Sequence, residues 1–305
     1  MNITVAVVGC GRWGAVHLAS LAEMKLSGHI DRAVACDVDE VVLNNLIHAD
    51  ARYTSVDQMV AAEQPDLTII ATPNPTHYPL GKALLKLGLN LLIEKPFAPT
   101  LEAATDLIKE ALHSECTVSS GHLLRHHPGV QQAKQVVVSG EIGEITLVKY
   151  VRKTIRSKPK SMGVVEGLAS HGIDALDYFF PQKFEFSSCH VVEQGTDHLC
   201  VEVHAPSHLN RTHLRGRVDV AWAANVEERI IQMIGTTGSL EVDFSQHQTI
   251  LVNGIRRQLH TQISPLRAQV QAALHRNEMS VELSQSLVST TQNVAMVKSA
   301  MSSVK

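Results

Sequence analysis

Short apolar segments alternate with amphipathic segments over the first 120 residues of the chain. The apolar segments predict strands at 3–8, 33–36, 67–71, 89–93 and 117–120. The segments between them repeat their apolar residues with helical spacing, near 13–24, 40–49, 55–62, 77–87 and 101–113. Strands that are apolar throughout and separated by helices are typical of a parallel sheet covered on both faces. The pattern therefore predicts an α/β fold with a doubly wound parallel sheet.

The pattern changes after Gly121. Helices are predicted near 129–138, 164–180, 266–276 and 283–301. Strands separated by hairpin-type turns are predicted at 144–155, 188–192, 198–205, 212–223, 227–234, 240–244 and 249–252. We therefore predict two domains, 1–121 and 122–305. The second is an α+β domain with a large, mainly antiparallel sheet.

The composition is that of an ordinary globular protein. Of 305 residues, 44% are hydrophobic and 19% charged, which argues against extensive disorder. With 27 basic and 30 acidic residues the net charge is −3, so nothing indicates a nucleic-acid or anionic-membrane partner. The apolar runs are far shorter than the roughly 20 residues of a membrane span. The start of the chain lacks the basic and apolar regions of a signal peptide.

The cysteines indicate a reducing compartment, and the histidines do not indicate a metal site. The cysteines are odd in number and scattered, at Cys10, Cys36, Cys116, Cys189 and Cys200. They are expected to be buried free thiols, so we expect a cytoplasmic protein. The 17 histidines form no clear metal-ligand spacing such as H-E-x-x-H, and no metal is expected.

A G-x-G-x-x-G motif, Gly9-Cys10-Gly11-Arg12-Trp13-Gly14, lies between the first predicted strand and the helix that follows it. This is the context in which the motif binds a dinucleotide. Gly9 would allow the tight turn, Gly11 would let the backbone approach a pyrophosphate, and Gly14 would let the helix pack on the strand. Asp37, at the end of the second strand, would accept hydrogen bonds from the adenosine ribose.

The residues around Asp37 favour NAD over NADP. The segment that follows, Val38 to Val42, adds two acids and no base, and a carboxylate repels the 2′-phosphate of NADP. Arg12 is the one cation of the glycine loop that could contact that phosphate, so NADP is kept as an alternative cofactor.

Further motifs lie later in the chain, and the first three follow predicted strands. They are Ala71-Thr72-Pro73-Asn74-Pro75-Thr76-His77, Ile93-Glu94-Lys95-Pro96, Gly121-His122 with Arg125 and Pro128, Gly140-Glu141-Ile142-Gly143-Glu144-Ile145, and Ser170-His171-Gly172-Ile173-Asp174. In this order and spacing, the chain resembles the glucose–fructose oxidoreductase and inositol dehydrogenase family over essentially its whole length. The segment 121–145 most resembles the branch that acts on nucleotide-linked sugars, including UDP-sugar 3-dehydrogenases.

The resemblance implies a Rossmann domain that binds NAD or NADP, and a second domain whose sheet forms the substrate face and a subunit contact. The residues that it implies at the cofactor are Gly9, Gly11, Arg12, Trp13, Gly14, Asp37, Thr72, Asn74, His77, Glu94 and Lys95. It places Lys95 at the reacting carbon, makes Pro96 a cis proline, and brings His171 in from the second domain.

Oxidation of a secondary alcohol removes a hydride from carbon and a proton from oxygen. A partly buried lysine such as Lys95 can have a lowered pKa and exchange that proton near neutral pH. His171 is suited to share the role. Alternatively, His171 is a packed helix residue hydrogen-bonded to Asp174, and both roles are compatible.

The sequence departs from the family at one position. Many members carry an aspartate four residues before this histidine, where this chain has Gly167. Glu166 is the nearest acid, rotated by about 100° on a regular α-helix. Three interpretations stay open: Lys95 and His171 suffice, Glu166 takes part, or catalysis is altered.

A basic segment follows the long strand of the second half. Five of the nine residues from Arg152 to Lys160 are basic and none is acidic. The family resemblance brings this strand and loop near the substrate, so Arg156 could contact a phosphate or carboxylate; a solvated strand end is the alternative. Arg125 is a second candidate for anion contact, with a structural role equally compatible. The candidate substrate residues are thus Arg125, Arg156, Glu166, His171 and Asp174.

We predict an NAD(P)-dependent oxidoreductase that acts on a secondary alcohol or ketone of a sugar or nucleotide-sugar. A dinucleotide-binding protein without dehydrogenase activity is the alternative supported by Gly167. A reductase of a non-sugar substrate is a third class, because one fold hosts several chemistries. A broad sheet face left in water is unfavourable, so a homodimer or homotetramer is expected.

Overall fold

The computed structural model describes residues 2–159, 163–181, 184–205, 214–246, 248–261 and 263–303. The chain forms two compact units. The first comprises Met1–Gly121 and Leu266–Thr291, and the second comprises His122–Pro265 and Gln292–Lys305. The first division falls at the predicted boundary, but the prediction placed all of 122–305 in the second domain. The segment Leu266–Thr291 therefore corrects it.

The first unit contains a six-stranded parallel sheet. Its strands are β1 (Thr4–Val8), β2 (Arg32–Cys36), β3 (Ala51–Tyr53), β4 (Leu67–Ile70), β5 (Leu91–Ile93) and β6 (Val118–Ser120). Their order is β3-β2-β1-β4-β5-β6, typical of doubly wound dinucleotide-binding sheets. All residues of β1, β4 and β5 are buried, which explains why these strands are apolar throughout. β1 lies between β2 and β4, so the chain extends the sheet on one side of β1 through β2 and on the other side through β4. The crevice at such a point lies outside the carboxyl end of the strand.

Three helices of this unit begin at polar capping residues. The helices that follow β1 to β5 are α1 (Arg12–Leu26), α2 (Glu40–Asn44), α3 (Val56–Glu63), α4 (His77–Lys86) and α5 (Leu101–His113). Asp39, Ser55 and Thr100 each accept a backbone N–H of the first turn and so fix the starts of α2, α3 and α5. The predicted helix at 40–49 is shorter than expected because the chain leaves α2 at Asn45 and then forms the unpredicted strand β3.

Two C-terminal helices complete the structure, α8 (Pro265–Leu274) and α9 (Val281–Ser303). Val270 and Ala273 of α8 are buried in one cluster with Val5 and Val7 of β1. The Gln269 side chain donates a hydrogen bond to the Ser120 carbonyl at 3.3 Å, within the same unit. These contacts are the reason that Leu266–Thr291 belongs to the first unit.

The second unit contains an eight-stranded, mainly antiparallel sheet. Its strands are β7 (Ile145–Lys153), β8 (His190–Gln194), β9 (His198–His204), β10 (Arg215–Ala221), β11 (Glu228–Gly235), β12 (Ser239–Asp243), β13 (Thr249–Val252) and β14 (Ile255–Gln258). The order is β14-β13-β12-β11-β7-β10-β9-β8, and only the β7–β10 pair of this sheet is parallel. The α+β prediction is therefore confirmed, although β14 was not predicted.

The core of the second unit lies between this sheet and the helices α6 (Pro128–Val138) and α7 (Ser170–Phe179). Tyr150 of β7 is fully buried and stacks on Phe244 with ring centroids 5.4 Å apart. Gly172 of α7 lies against this ring, because a Cβ there would be 2.5 Å from a Tyr150 ring carbon. Glycine at this position lets α7 approach the sheet closely.

One turn of π-helix, Val165–Ala169, precedes α7 within the predicted 164–180 helix. The Ser170 N–H donates to the Val165 carbonyl, five residues earlier, instead of to the residue four earlier. The extra residue changes which side chains share a face around this turn.

None of the helices in the described part of the chain combines the length and the apolar character that a membrane crossing requires. All five cysteines are free thiols; Cys189 is partly exposed and the other four are buried. Within the described ranges, no cluster of three or more His, Cys, Asp or Glu side chains could hold a metal ion.

Candidate functional site

The glycine loop joins β1 to α1, and its glycines serve different needs. Gly9 has a φ of +87°, and a Cβ there would be 2.6 Å from the Thr72 nitrogen. A Cβ on Gly14 would be 1.9 Å from the Gly9 carbonyl oxygen. The fold itself therefore requires glycine at positions 9 and 14.

Gly11 has no such requirement, because a Cβ built there meets no heavy atom within 4 Å and its φ is −61°. It is the N-cap residue of α1, where no side chain accepts a hydrogen bond from the helix and no acid occupies the first turn. Open space in front of backbone N–H groups at a helix N-terminus suits a phosphate. The loop thus fits a dinucleotide pyrophosphate.

Asp37 borders this loop. One carboxylate oxygen accepts the Cys10 N–H at 2.6 Å, and the other accepts the Asp39 N–H at 2.9 Å. The side chain is partly exposed, and its oxygens retain lone pairs for further donors. Two neighbouring candidates, Arg12 and Trp13, are exposed in the first turn of α1. This arrangement agrees with a ribose-binding carboxylate.

Thr72, Asn74 and His77 lie in the turn between β4 and α4, at the same carboxyl edge of the sheet. His77 is buried, and its ring nitrogens lie 2.8 Å from the carbonyl oxygens of Pro96 and Thr72. This side chain thus joins two turns, and its expected contact with the dinucleotide stays a prediction. Thr72 and Asn74 are partly exposed and remain candidates for that contact.

Glu94 follows β5 and is paired with a residue that sequence reasoning missed. His17 of α1 is completely buried, and its Nε2 lies 2.8 Å from Glu94 Oε1. The other Glu94 oxygen accepts the Lys95 N–H at 3.2 Å. A Cβ on Gly121 would be 2.6 Å from this second oxygen, so glycine there makes room for the carboxylate. The sequence signal that could have identified this pair is the position of His17, three residues after Gly14 on the buried side of α1.

Burial alone would raise the pKa of the Glu94 carboxyl, because it penalises the charged form. The hydrogen bond and charge of His17 oppose this effect, as do the N–H and the charge of Lys95, and together they lower the pKa below its ordinary value. Glu94 is therefore held as a carboxylate at neutral pH.

Lys95 follows directly and is half-buried at the carboxyl end of β5. The peptide bond between Lys95 and Pro96 is cis, as the family resemblance implied. Because the strands are parallel, the ends of β1, β4 and β5 lie at one edge of the sheet. This edge is where open α/β sheets bind ligands.

In the second unit, Arg125 and Asp174 form an ion pair. The Arg125 Nε and Nη2 atoms lie 2.9 and 2.6 Å from Asp174 Oδ1, and Asp174 is 1% exposed. His122 Nδ1 is 3.4 Å from the same oxygen, and Asp177 is 3.8 Å from Arg125. Burial would lower the pKa of the Arg125 guanidinium, but Asp174 and Asp177 outweigh it and raise the pKa. The structure thus gives Arg125 and Asp174 a structural pairing, while the anion contact of Arg125 and the substrate contact of Asp174 stay predictions.

Glu166 lies within the π-helical turn and His171 follows it in α7, and both are partly buried. The Glu166 carboxylate pairs with Lys298 Nζ at 2.6 Å. The rotation of about 100° between Glu166 and the family's acid position assumed a regular α-helix. A turn that holds one more residue brings Glu166, five residues before His171, closer to the face of that histidine than predicted.

The basic segment divides into paired and unpaired cations. Lys153 lies 3.3 Å from Asp219, and Lys158 lies 3.2 Å from Asp197. Lys160 lies outside the described residues. Arg156 is exposed after β7, where its carbonyl oxygen accepts the Ala223 N–H at 2.9 Å. The alternative of a solvated strand end therefore stays open for the exposed Arg156.

The family model and the curated relatives that match this chain point to the same family. Residues 3–122 match the model of an oxidoreductase family with an NAD-binding Rossmann fold. An inositol 2-dehydrogenase/D-chiro-inositol 3-dehydrogenase of Shouchella clausii is 27% identical over 61% of this chain and 55% of its own length. The chain thus spans about half the length of such curated inositol dehydrogenases. The 2,7-anhydro-N-acetylneuraminate hydratase of Escherichia coli is 32% identical over 80% of this chain and 68% of its own length.

Solved structures share the fold over the whole chain. The myo-inositol 2-dehydrogenase of Lactobacillus plantarum has a TM-score of 0.80 at 16% identity and covers 99% of this chain and 98% of its own. The UDP-N-acetylglucosamine 3-dehydrogenase of Acidithiobacillus ferrooxidans has a TM-score of 0.80 at 20% identity, with 98% of each chain covered. The strand order, the glycine loop and these similarities lead to one conclusion: the chain belongs to the oxidoreductase family with an NAD-binding Rossmann fold, the glucose–fructose oxidoreductase and inositol dehydrogenase family that its motifs resemble.

Proposed function

We propose that the protein is an NAD-dependent oxidoreductase that transfers a hydride between the cofactor and a secondary alcohol or ketone of a sugar or nucleotide-sugar. The observation that carries the proposal is the open space at Gly11, at the sheet edge where Lys95 also lies. Curated relatives named as inositol dehydrogenases and as a hydratase of an anhydro sugar support a sugar-like substrate. They do not favour the alternative of a dinucleotide-binding protein without catalysis.

The proposed site residues divide the work. The nicotinamide, when bound, accepts or supplies the hydride. The N–H groups at the start of α1 hold the pyrophosphate, while Asp37 accepts the adenosine ribose hydroxyls. Lys95 Nζ accepts the proton of the substrate hydroxyl as the carbon loses its hydride, and returns it in the reverse direction. Glu94, fixed by His17, holds the backbone N–H of Lys95 and so orients the residue.

His171 is the proposed second proton-exchanging group, and Arg156 and Glu166 are proposed substrate residues. Glu166 is supported by the π-helical turn, which brings it closer to the face of His171. If Lys95 and His171 exchange the proton, the absence of an acid at Gly167 does not abolish catalysis.

Lys95→Ala tests the chemistry. It should lower kcat by roughly 10²–10⁴ and leave NAD affinity nearly unchanged, because general acid–base catalysis contributes about that factor. Activity is followed by the absorbance of the reduced nicotinamide with a panel of polyols, sugars and nucleotide-sugars, and affinity by calorimetry. A kcat within about threefold of the wild type would remove Lys95 from the mechanism.

We further propose a cytoplasmic homodimer or homotetramer. The sheet of the second unit supports this assembly, although the expected apolar surface is only partly present. Ion pairs such as Arg217–Glu202, at 3.0 Å, and Lys153–Asp219 are among its strand side chains. A subunit contact there would thus be partly polar. Light scattering at micromolar concentration measures the mass, and a monomer would contradict the proposal.

A further inference from the structure

Arg152, at the end of β7, is a half-buried cation without an anionic partner in the described part of the chain. Its Nε is buried and has no hydrogen-bond partner among the described residues. In that same part of the chain no carboxylate lies within ion-pair distance of Arg152, whereas Lys153 and Lys158 both have one. None of the positions outside the described ranges is an aspartate or a glutamate. An unpaired buried charge is costly, so its presence needs an explanation.

The surroundings of Arg152 increase this cost. In the antiparallel register of β7 and β11, Arg152 lies directly opposite Arg229. Like charges at such a position destabilise a sheet. The guanidinium packs on the Phe244 ring, with Cζ 6.0 Å from the centroid, which holds it in place without neutralising it.

Glu227, whose charge acts on Arg152, is engaged elsewhere. Its Oε1 accepts both Nε and Nη2 of Arg229, at 3.1 and 2.9 Å, and its Oε2 accepts the Ile155 N–H at 3.2 Å. Arg156 adds a third guanidinium close enough to repel Arg152. Glu227 thus pairs with Arg229 and not with Arg152.

The pKa of the Arg152 guanidinium reflects these surroundings. Burial is the main cause of the lowered pKa. Tyr150 opposes it most, Glu227 opposes it less, and repulsion by Arg229 and Arg156 lowers the pKa further. The hydroxyl of Tyr150, two residues earlier on the same face of β7, is also buried without a hydrogen-bond partner in the described chain. Two buried polar groups on one face of this strand thus lack a protein partner.

We propose that Arg152, with Arg156 and Arg229 beside it, binds an anionic group of the substrate, a phosphate or a carboxylate. That the anion belongs to the substrate rests on the proposed function; that an anion binds here rests on the arginines alone. A planar guanidinium offers paired N–H donors that match both kinds of oxyanion. The protein thus accepts an unpaired charge in the free state in order to recognise a charged sugar.

The test compares three probes on the full-length protein: UDP, which carries a diphosphate; D-glucuronate, which carries a carboxylate; and D-glucose as the neutral reference. Binding is measured by calorimetry at low ionic strength, with and without saturating NAD. Arg152→Gln should weaken at least one anionic probe by about tenfold or more, since charge-assisted hydrogen bonds are worth about 1.5–3 kcal/mol. Arg152→Lys should lose part of the affinity, because it keeps the charge but not the paired donors.

Arg256→Gln is the matched control. It removes the same charge from an exposed position on β14 and should leave both affinities unchanged. The melting temperature of Arg152→Gln in anion-free buffer should be no lower than that of the wild type, because the substitution relieves repulsion. A purely structural arginine would give a lower value.

The outcomes separate the two proposals. If UDP binds Arg152-dependently and D-glucuronate does not, the anion is a phosphate, and the reverse result indicates a carboxylate. If neither anionic probe binds the wild type, or if Arg152→Gln and Arg152→Lys leave both affinities unchanged, the anion site is wrong, whatever NAD does. If NAD fails to bind while Arg152-dependent anion binding persists, the anion site stands and the proposed oxidoreductase function fails.

Discussion

The pair between His17 and Glu94 predicts a large loss of stability when one partner is removed. His17→Ala leaves the Glu94 carboxylate, only 9% exposed, without its closest hydrogen-bond partner. Breaking a buried pair in this way costs about 3–5 kcal/mol. For a unit of this size, each kcal/mol shifts the melting temperature by roughly 2–4 °C, so we expect a loss of about 6–20 °C.

A double-mutant cycle isolates the interaction. In the background Glu94→Gln the carboxylate is absent, so His17→Ala should cost about 1–3 kcal/mol less than it does in the wild type. Urea unfolding followed by circular dichroism measures the four free energies of unfolding. His48→Ala, an exposed histidine of the same unit, is the control and should change stability by less than about 0.5 kcal/mol. Equal costs of His17→Ala in the two backgrounds would refute the pair as a stabilising interaction.

The sign of the pH dependence follows from the lowered pKa of Glu94. A carboxyl whose pKa is lowered on folding contributes stability that is fully present above its unfolded value of about 4.3 and is lost as the pH falls through the folded value. The difference between the wild type and His17→Ala should therefore be largest near neutral pH. It should shrink as the pH falls through the lowered pKa of Glu94, where the carboxyl binds a proton. A difference that grows on acidification would contradict this assignment.

Three further predictions concern the cofactor and the proton-exchanging residues. Gly11→Ala should weaken NAD binding with little change in melting temperature, whereas Gly14→Ala should destabilise the protein, because only the Cβ at position 14 meets the backbone; equal destabilisation by both would contradict the distinction. NAD should bind at least about tenfold more tightly than NADP, and Asp37→Ala should narrow the gap in calorimetric titrations, since Asp37 would repel the 2′-phosphate; tighter NADP binding would show that Arg12 outweighs Asp37. His171→Ala should lower kcat more than Glu166→Gln does, because the Glu166 carboxylate is paired with Lys298. The opposite order in the same absorbance assay would mean that Glu166 replaces the acid that the family carries at the position of Gly167.

Local patterns in the sequence predicted most of the helices and strands, but not the short, exposed strands. The strands β1 and β4 were recognisable because every residue in them is apolar or small enough to bury, and α5 because its apolar stripe starts at the capping residue Thr100. The strand β3 is only three residues long and none of them is buried, so it carries no apolar signal. β14 was missed for the same reason, since its four residues are mostly exposed.

The candidate site shows the same limit. The glycine loop was predictable because its glycines have local roles. A Cβ at Gly9 or Gly14 would clash with a neighbouring backbone atom, and Gly11 leaves open space at the helix N-terminus. The pairing of Arg125 with Asp174 joins residues 49 positions apart, and a linear pattern cannot distinguish it from two ligand-binding residues. The π-helical turn was not predicted either. The expected position of Glu166 around the helix, relative to His171, assumed a regular α-helix, and the chain does not form one there.

The return of Leu266–Thr291 to the first unit has a consequence for how the chain folds during synthesis. Residues 1–121 leave the ribosome well before Val270, Ala273 and Leu287, which complete their hydrophobic clusters. The nascent N-terminal segment must therefore keep part of its apolar surface uncovered while the intervening 122–265 are translated. A fragment that stops at Gly121 should expose this surface and bind chaperones, whereas a single chain joining 1–121 directly to 266–291 should bury it.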